Sequence, residues 1–193
     1  MQMDIGIQKD MIIDIGRRLW QRGMVAANDG NISCRIEEGF LITRSGVSKG
    51  FLAQDDILFL DLAGRAKEHG PRPSVETGLH LRIYETCPQI AAIVHAHPPY
   101  ATAFSLIDAD INDCPLEELR IQLGSVPCIA YAQAGSEELA EVVALQMRHA
   151  RAGLMRRHGA IAVGCDLIEA LYRMEALEQA AKIAFIAKNF PGK

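Results

Sequence analysis

A layered α/β/α sandwich is the fold this sequence predicts, on two observations. Short apolar runs of strand length and amphipathic helical stretches are interleaved along the chain without a regular βαβ rhythm. The glycine fingerprint that opens a doubly wound dinucleotide fold is absent. The 193 residues, 49% of them hydrophobic and 23% charged, supply enough apolar material for one sizeable core and are expected to form a single domain over 1–193.

The elements follow in order. Met11, Ile12, Ile15, Leu19 and Trp20 share one face at helical spacing, so a helix opens the chain and breaks at Gly23. Asn28-Asp29-Gly30-Asn31 then gathers residues that favour a tight turn. Phe40-Leu41-Ile42-Thr43 and Ile57-Leu58-Phe59-Leu60 read as short strands, with the polar loop Ser45-Gly46-Val47-Ser48-Lys49-Gly50 between them. Pro71 and Pro73 punctuate the chain before Ser74, read as the N-cap of a helix from Val75 to about Tyr84 with Glu76 in its first turn. Ala91 to His97 reads as a strand ending in two histidines, and Pro98-Pro99 stop it and start a helix through Leu106. From Ile107 to Val126 the pattern gives only an acidic, loop-rich connection and an ambiguous amphipathic stretch. Ser136 caps a helix from Glu137 to about His149, and Gly153 to Gly164 reads as a strand pair or hairpin around His158-Gly159. Asp166, with Glu169 as its capping-box partner, opens a last helix whose Leu167, Leu171, Met174, Leu177 and Ala181 share a face.

Composition excludes several classes. The formal net charge is -4 and no run of Lys or Arg forms a phosphate-backbone footprint, so nucleic acid is not an expected partner. The N-terminus lacks the pattern of a signal peptide, and no apolar run approaches the roughly 20 residues of a membrane span. A soluble, cytoplasmic protein is expected. Cys34, Cys87, Cys114, Cys128 and Cys165 form no C-x-x-C pair, which suits a reducing compartment, and each reads as a small buried hydrophobe.

The strongest chemical signal is His95-Ala96-His97. Side chains two apart in a strand share a face, so both imidazoles can reach one ion, although two hydrogen-bonded histidines at a strand end give the same pattern. Catalytic zinc commonly takes three protein ligands and keeps a fourth position open. His158 is the best third donor, because Gly159 beside it permits close backbone approach; it also reads as a hairpin-turn histidine.

Gly30-Asn31-Ile32-Ser33, Thr43-Arg44-Ser45-Gly46, Pro73-Ser74-Val75-Glu76 with His80, His95-Ala96-His97-Pro98 and His158-Gly159 together resemble the ordered motif series of the class II aldolase/adducin family. The resemblance implies a three-layer α/β/α sandwich with a largely antiparallel central sheet, assembled as a homotetramer with active sites at subunit interfaces. It implies one Zn2+ per subunit on His95, His97 and His158, and Glu76 as the catalytic acid/base. It further implies that Gly30, Asn31, Ser45, Gly46 and Ser74 hold the phosphate of a small sugar phosphate, a role that turn and helix-start N–H groups suit. Arg44 and Lys49, in the same loop, read as solvated charges.

The activity so implied is cleavage of a ketose 1-phosphate to dihydroxyacetone phosphate and an aldehyde through an enediolate. The same family includes sugar-phosphate epimerases, dehydratases and decarboxylases, and non-catalytic adducin-like modules. Epimerases of this kind tend to carry aspartate where this chain has Glu76, and a dehydratase would draw its acid/base from the region of Glu117 and Glu118. Val75 departs from the two serines expected before the glutamate and removes a hydroxyl from the pocket. The longer tail that brings a tyrosine over the site is expected to be missing, with Tyr131 as a packing residue or internal substitute.

Overall fold

The structure is a computed structural model that describes residues 4–66, 70–107, 111–113 and 116–190. Two-residue alternation builds its sheet. In β1 (Asn31–Ile36) the apolar Ile32, Cys34 and Ile36 face one side, and Asn31, Ser33 and Arg35 face the other. β2 (Gly39–Thr43), β3 (Ile57–Asp61), β4 (Ala92–Ala96), β5 (Cys128–Ile129), β6 (Ala152–Met155) and β7 (Gly159–Gly164) complete a sheet of order β3-β2-β1-β4-β7-β6-β5. Every pairing is antiparallel except β5 with β6.

Helices cover both faces, as the layered expectation required. On one face α1 (Ile5–Gln21), α3 (Pro99–Leu106), α4 (Glu117–Leu123) and α6 (Leu167–Lys188) pack Ile12, Ile15, Leu171, Met174 and Leu177 against Ile32, Val94, Ala160 and Ala162. On the other, α2 (Thr77–Thr86) and α5 (Glu137–Met147) pack Leu79, Ile83, Leu139 and Val143 against Phe40, Ile42, Ile93 and Ile161. Each fully buried aliphatic side chain of these layers contributes roughly 1.5–3 kcal/mol of transfer free energy. No helix among the described residues is long and apolar enough to cross a membrane.

Several local expectations need correction. β1 was not expected as a strand: its polar residues hide it, although Ile32, Cys34 and Ile36 alternate with them. α2 begins at Thr77, not Val75, with Glu76 at the cap position; Ser74 instead starts the preceding turn, its carbonyl accepting from Thr77 N–H at 3.1 Å. β4 ends at Ala96, so His97 lies just past the strand, where its N–H donates to Met24 O at 3.0 Å. Asp166 does cap α6, accepting from Glu169 N–H at 2.7 Å, but the Glu169 carboxylate takes Cys165 N–H at 2.7 Å. Cys34 and Cys87 are buried while Cys128 and Cys165 are exposed, and Cys114 lies outside the described residues.

Candidate active site

A strand and a helix with matched periods build the polar floor of the site. Every second residue of β1 advances ~6.6 Å and every fourth helical residue ~6 Å. Asn31, Ser33 and Arg35 therefore stay level with Glu76, His80 and Tyr84. Asn31 Nδ2 donates to Glu76 Oε2 at 2.8 Å and Ser74 Oγ at 3.1 Å. Asn31 Oδ1 pairs with His80 Nε2, while Ser33 Oγ meets His80 Nδ1 at 2.6 Å and Tyr84 Oη at 2.7 Å. The Arg35 guanidinium lies 4.8 Å from the centre of the Tyr84 ring.

The histidines join this floor through sheet register. Asn31 is the Cα partner of His95 across β1 and β4, so His95 leaves the sheet beside it, on the face α2 covers. His95 Nδ1–H donates to the Ala160 carbonyl at 2.9 Å, which turns Nε2 inward. His97 Nδ1 lies 3.4 Å from Asp29 Oδ2 and its Nε2 lies 3.2 Å from His95 Nε2. His158 comes from the β6–β7 turn, where Arg157 takes φ +57° just before it. The three rings stand 4.8 to 5.3 Å apart by their centroids, with one ligand nitrogen from each within 4.8 Å of the others.

Two glycines permit this closeness. A Cβ on Gly30, which has φ +72°, would meet the His95 carbonyl oxygen at 2.6 Å. A Cβ on Gly159 would meet His97 Cδ2 at 2.5 Å and the Ala96 oxygen at 2.7 Å.

The donor set has the chemistry of a cation cage. Glu76 Oε2 lies 3.1 Å from His95 Nε2, and Glu76 Oε1 lies 3.3 Å from His158 Nε2. A backbone carbonyl only accepts, so neutral His95 keeps its proton on Nδ1 and aims a lone pair at the carboxylate. Lone pairs facing at that distance repel unless a proton or a metal ion lies between them, and Glu76 Oε1 is buried without a hydrogen bond. The titration behaviour agrees. Burial alone raises the Glu76 pKa, yet His95 and His158 opposite it and the Asn31 hydrogen bond hold it far below the usual carboxylate range. Burial lowers the His95 pKa, but Glu76 outweighs it and the net direction is upward. Burial and His95 push His158 down to about 4. These residues fit a divalent metal, as the sequence pattern suggested.

Of the expected phosphate residues, Gly30, Asn31 and Ser74 come together directly. The Ser45-Gly46 loop abuts them, since Arg44 bridges Pro73 and Ser45 N–H donates to Arg72 O at 3.0 Å. The Ser45 amide is thereby spent within the protein, which leaves the Ser45 hydroxyl and the Gly46 amide as the groups the loop can offer. Val75 points to solvent. Lys49 is not solvated as expected, and Arg44, its side chain still 36% exposed, is paired rather than free. Arg44 Nε pairs with Asp56, and Lys49, 2% exposed, donates to Asn28 O at 3.0 Å and Val47 O at 2.7 Å, tying the two loops together. Sequence reasoning missed Lys49 in this role, Asp29 beside His97, and the Ser33–His80–Tyr84 chain; the four-residue spacing of Glu76, His80 and Tyr84 was the available signal.

Glu117 and Glu118 start α4, in the helical layer on the opposite face of the sheet from His95. A groove of about 1030 Å3 between the start of α1 and β3, lined by Ile36, Leu41 and Ile57, belongs to that opposite face too. Tyr131 is exposed, with the Arg157 guanidinium 5.9 Å from its ring centre.

The family model of the class II aldolase and adducin N-terminal domain matches residues 10–185. This chain belongs to that family. Among its members, the 3-oxo-tetronate 4-phosphate decarboxylase of Haemophilus influenzae is 34% identical over 185 residues, covering 92% of this chain and 87% of that protein. The L-fuculose phosphate aldolase of Methanococcus maripaludis is 34% identical over 177 residues, covering 92% of this chain and 96% of the relative. The crystal structure of L-fuculose-1-phosphate aldolase from Thermus thermophilus superposes with a TM-score of 0.85 at 34% identity, covering 96% of this chain and 98% of that one. The class II aldolase fold, with its mostly antiparallel sheet between helical layers, is thus the fold of this chain.

Proposed function

We propose that this chain is a zinc-dependent lyase of sugar phosphates, an aldolase that cleaves a ketose 1-phosphate to dihydroxyacetone phosphate and an aldehyde. The observation that carries this reading is the Glu76 carboxylate held between His95 Nε2, His158 Nε2 and the Asn31 amide. His95, His97 and His158 are the metal ligands of this reading, and the bound ion supplies a Lewis acid for the substrate's carbonyl and neighbouring hydroxyl oxygens. Glu76 is the acid/base, accepting a proton from the substrate in one direction of the reaction and returning it in the other. Asn31 fixes its Oε2, so the proton moves at a defined atom. Gly30, Asn31, Ser45, Gly46 and Ser74 hold the phosphate, and binding energy gathered there orients the reacting carbon over Glu76.

Identity to the decarboxylase favours a second reading of the same site. A 2-hydroxy-3-oxo acid 4-phosphate, the substrate class of that relative's name, loses CO2 to leave the enediolate of dihydroxyacetone phosphate, the species that aldol cleavage also leaves. Glu76 would protonate it in either case. The rest of the reading is a cytoplasmic homotetramer whose active sites lie at subunit interfaces.

Elemental analysis joined to a panel assay tests these proposals. L-fuculose 1-phosphate and related ketose 1-phosphates should release an aldehyde and dihydroxyacetone phosphate, with one zinc per chain. Release of CO2 from 3-oxo-tetronate 4-phosphate, without aldehyde from any ketose phosphate, would replace the first reading with the second. Full cleavage by a zinc-loaded Glu76→Gln variant would remove the glutamate from the chemistry.

A further inference from the structure

With a neutral His80 ring, the hydrogen bonds around it have one direction. Glu76 is a carboxylate and can only accept, so the Asn31 atom 2.8 Å from it is the amide nitrogen. Asn31 Oδ1 then faces His80 Nε2, which must carry the proton. His80 is 0% exposed, and burial first, then His95, pushes its pKa down to about 3 despite Glu76, so the ring is neutral and Nδ1 is bare. Nδ1 takes the Ser33 hydroxyl hydrogen at 2.6 Å, and Ser33, with that one hydrogen spent, accepts from Tyr84 Oη at 2.7 Å. At the other end, Ser74 Oγ accepts from Asn31 Nδ2 at 3.1 Å and from Glu76 N–H at 3.3 Å. Both its lone pairs are occupied and its hydrogen is left to give.

We propose that His80 is the positioning residue of this site, a neutral Nε2–H imidazole that sets a one-way chain from Tyr84 through Ser33 and His80 to Asn31. The chain aims one Asn31 amide hydrogen at Glu76 and the other at Ser74. It makes Ser74 a donor only, which suits a ligand group that presents acceptors alone, such as a phosphoryl oxygen. Reversing the chain would turn Asn31 Oδ1 toward the Glu76 carboxylate and set two acceptors against each other in a buried site. The His80 ring hydrogen-bonds to Ser33 and Asn31. It acts through Asn31.

The chain itself is independent of what the site turns over, and its kinetic consequence rests on the proposed lyase reading. NMR of histidine-labelled, zinc-loaded protein, with ring nitrogen shifts and long-range couplings assigned through His80→Gln, should report His80 as the neutral Nε2–H tautomer across the neutral pH range. The Nδ1–H tautomer, or an imidazolium, overturns the proposal. With ketose phosphates, His80→Phe should lower kcat roughly 10–100-fold. His80→Gln, whose amide can still donate to Asn31, should recover most of that loss. Unchanged kcat in a folded His80→Phe variant, or an equal loss in a folded His80→Gln variant, overturns the positioning role; should His80→Phe not fold, His80→Gln decides. A wild-type protein inactive on every substrate, yet showing the Nε2–H tautomer, refutes the lyase reading and leaves the chain standing.

Discussion

Asn31 and His95 sit opposite each other where β1 pairs with β4, and both reach the same carboxylate: Asn31 Nδ2 at 2.8 Å and His95 Nε2 at 3.1 Å from Glu76 Oε2. Removing the amide frees the carboxylate to turn. A hydrogen bond to a charged group is worth about 1.5–3 kcal/mol, so Asn31→Ala should lower kcat roughly 10–100-fold. Steady-state kinetics on the best substrate of the panel, with circular dichroism to confirm the fold, checks this. A change under threefold would detach Asn31 from the reacting geometry.

Metal removal should weaken the fold. The inward nitrogens of His95, His97 and His158 lie within 4.8 Å of one another, and without a cation their lone pairs and the Glu76 carboxylate repel. Dialysis against a chelator should lower Tm by several degrees, and stoichiometric zinc should restore it; at 100-fold excess over Kd the linkage is about 2.7 kcal/mol. An unchanged Tm after complete metal removal would contradict a structural link between cage and fold.

Gly159 is the glycine whose substitution would strike the histidine cluster most directly. An alanine Cβ would strike His97 Cδ2 and the Ala96 backbone oxygen, and backbone cannot step aside as a side-chain tip can. Gly159→Ala should displace His97 and weaken zinc binding by roughly tenfold or more, as measured by competition with a chromogenic chelator.

Acid should destabilise the metal-free protein. His80, with its pKa down at about 3 by burial, and His158, down at about 4 by burial and His95, stay neutral in the fold while ordinary histidines charge near pH 6.5. Between those values the unfolded chain binds more protons, so stability falls as pH drops from about 6.5 towards 4. His95, whose pKa is raised, contributes in the opposite sense, its share being lost as pH rises through its folded value. The net loss between pH 7 and 5 should be on the order of 2 kcal/mol by urea titration. A flat profile over that range would show that the histidines are not buried neutral.

Lys49 should matter for stability although its sequence context is that of a surface loop. Lys49→Ala leaves the Asn28 and Val47 carbonyls without their donor, at roughly 1–3 kcal/mol. The loop before Gly30 should loosen with it, so KM for the phosphorylated substrate should rise more than kcat falls. Wild-type urea midpoint and KM in that variant would refute the cross-link.

The sequence alone determined the layers and the metal motif. The apolar periods of the first and last helices, the strand run Ala91 to His97, and the hairpin around His158 are written in nearest-neighbour spacing, which local physics reads directly. The two-apart histidines and the glycine after His158 belong to the same class of signal. Tertiary structure decided how the third histidine, Glu76 and Asn31 meet, because register between strands distant in the chain put Asn31 beside His95. It also turned Lys49 inward and recruited Ser33, His80 and Tyr84. Those roles depend on which groups lose their water together, a property that arises only once separate segments pack.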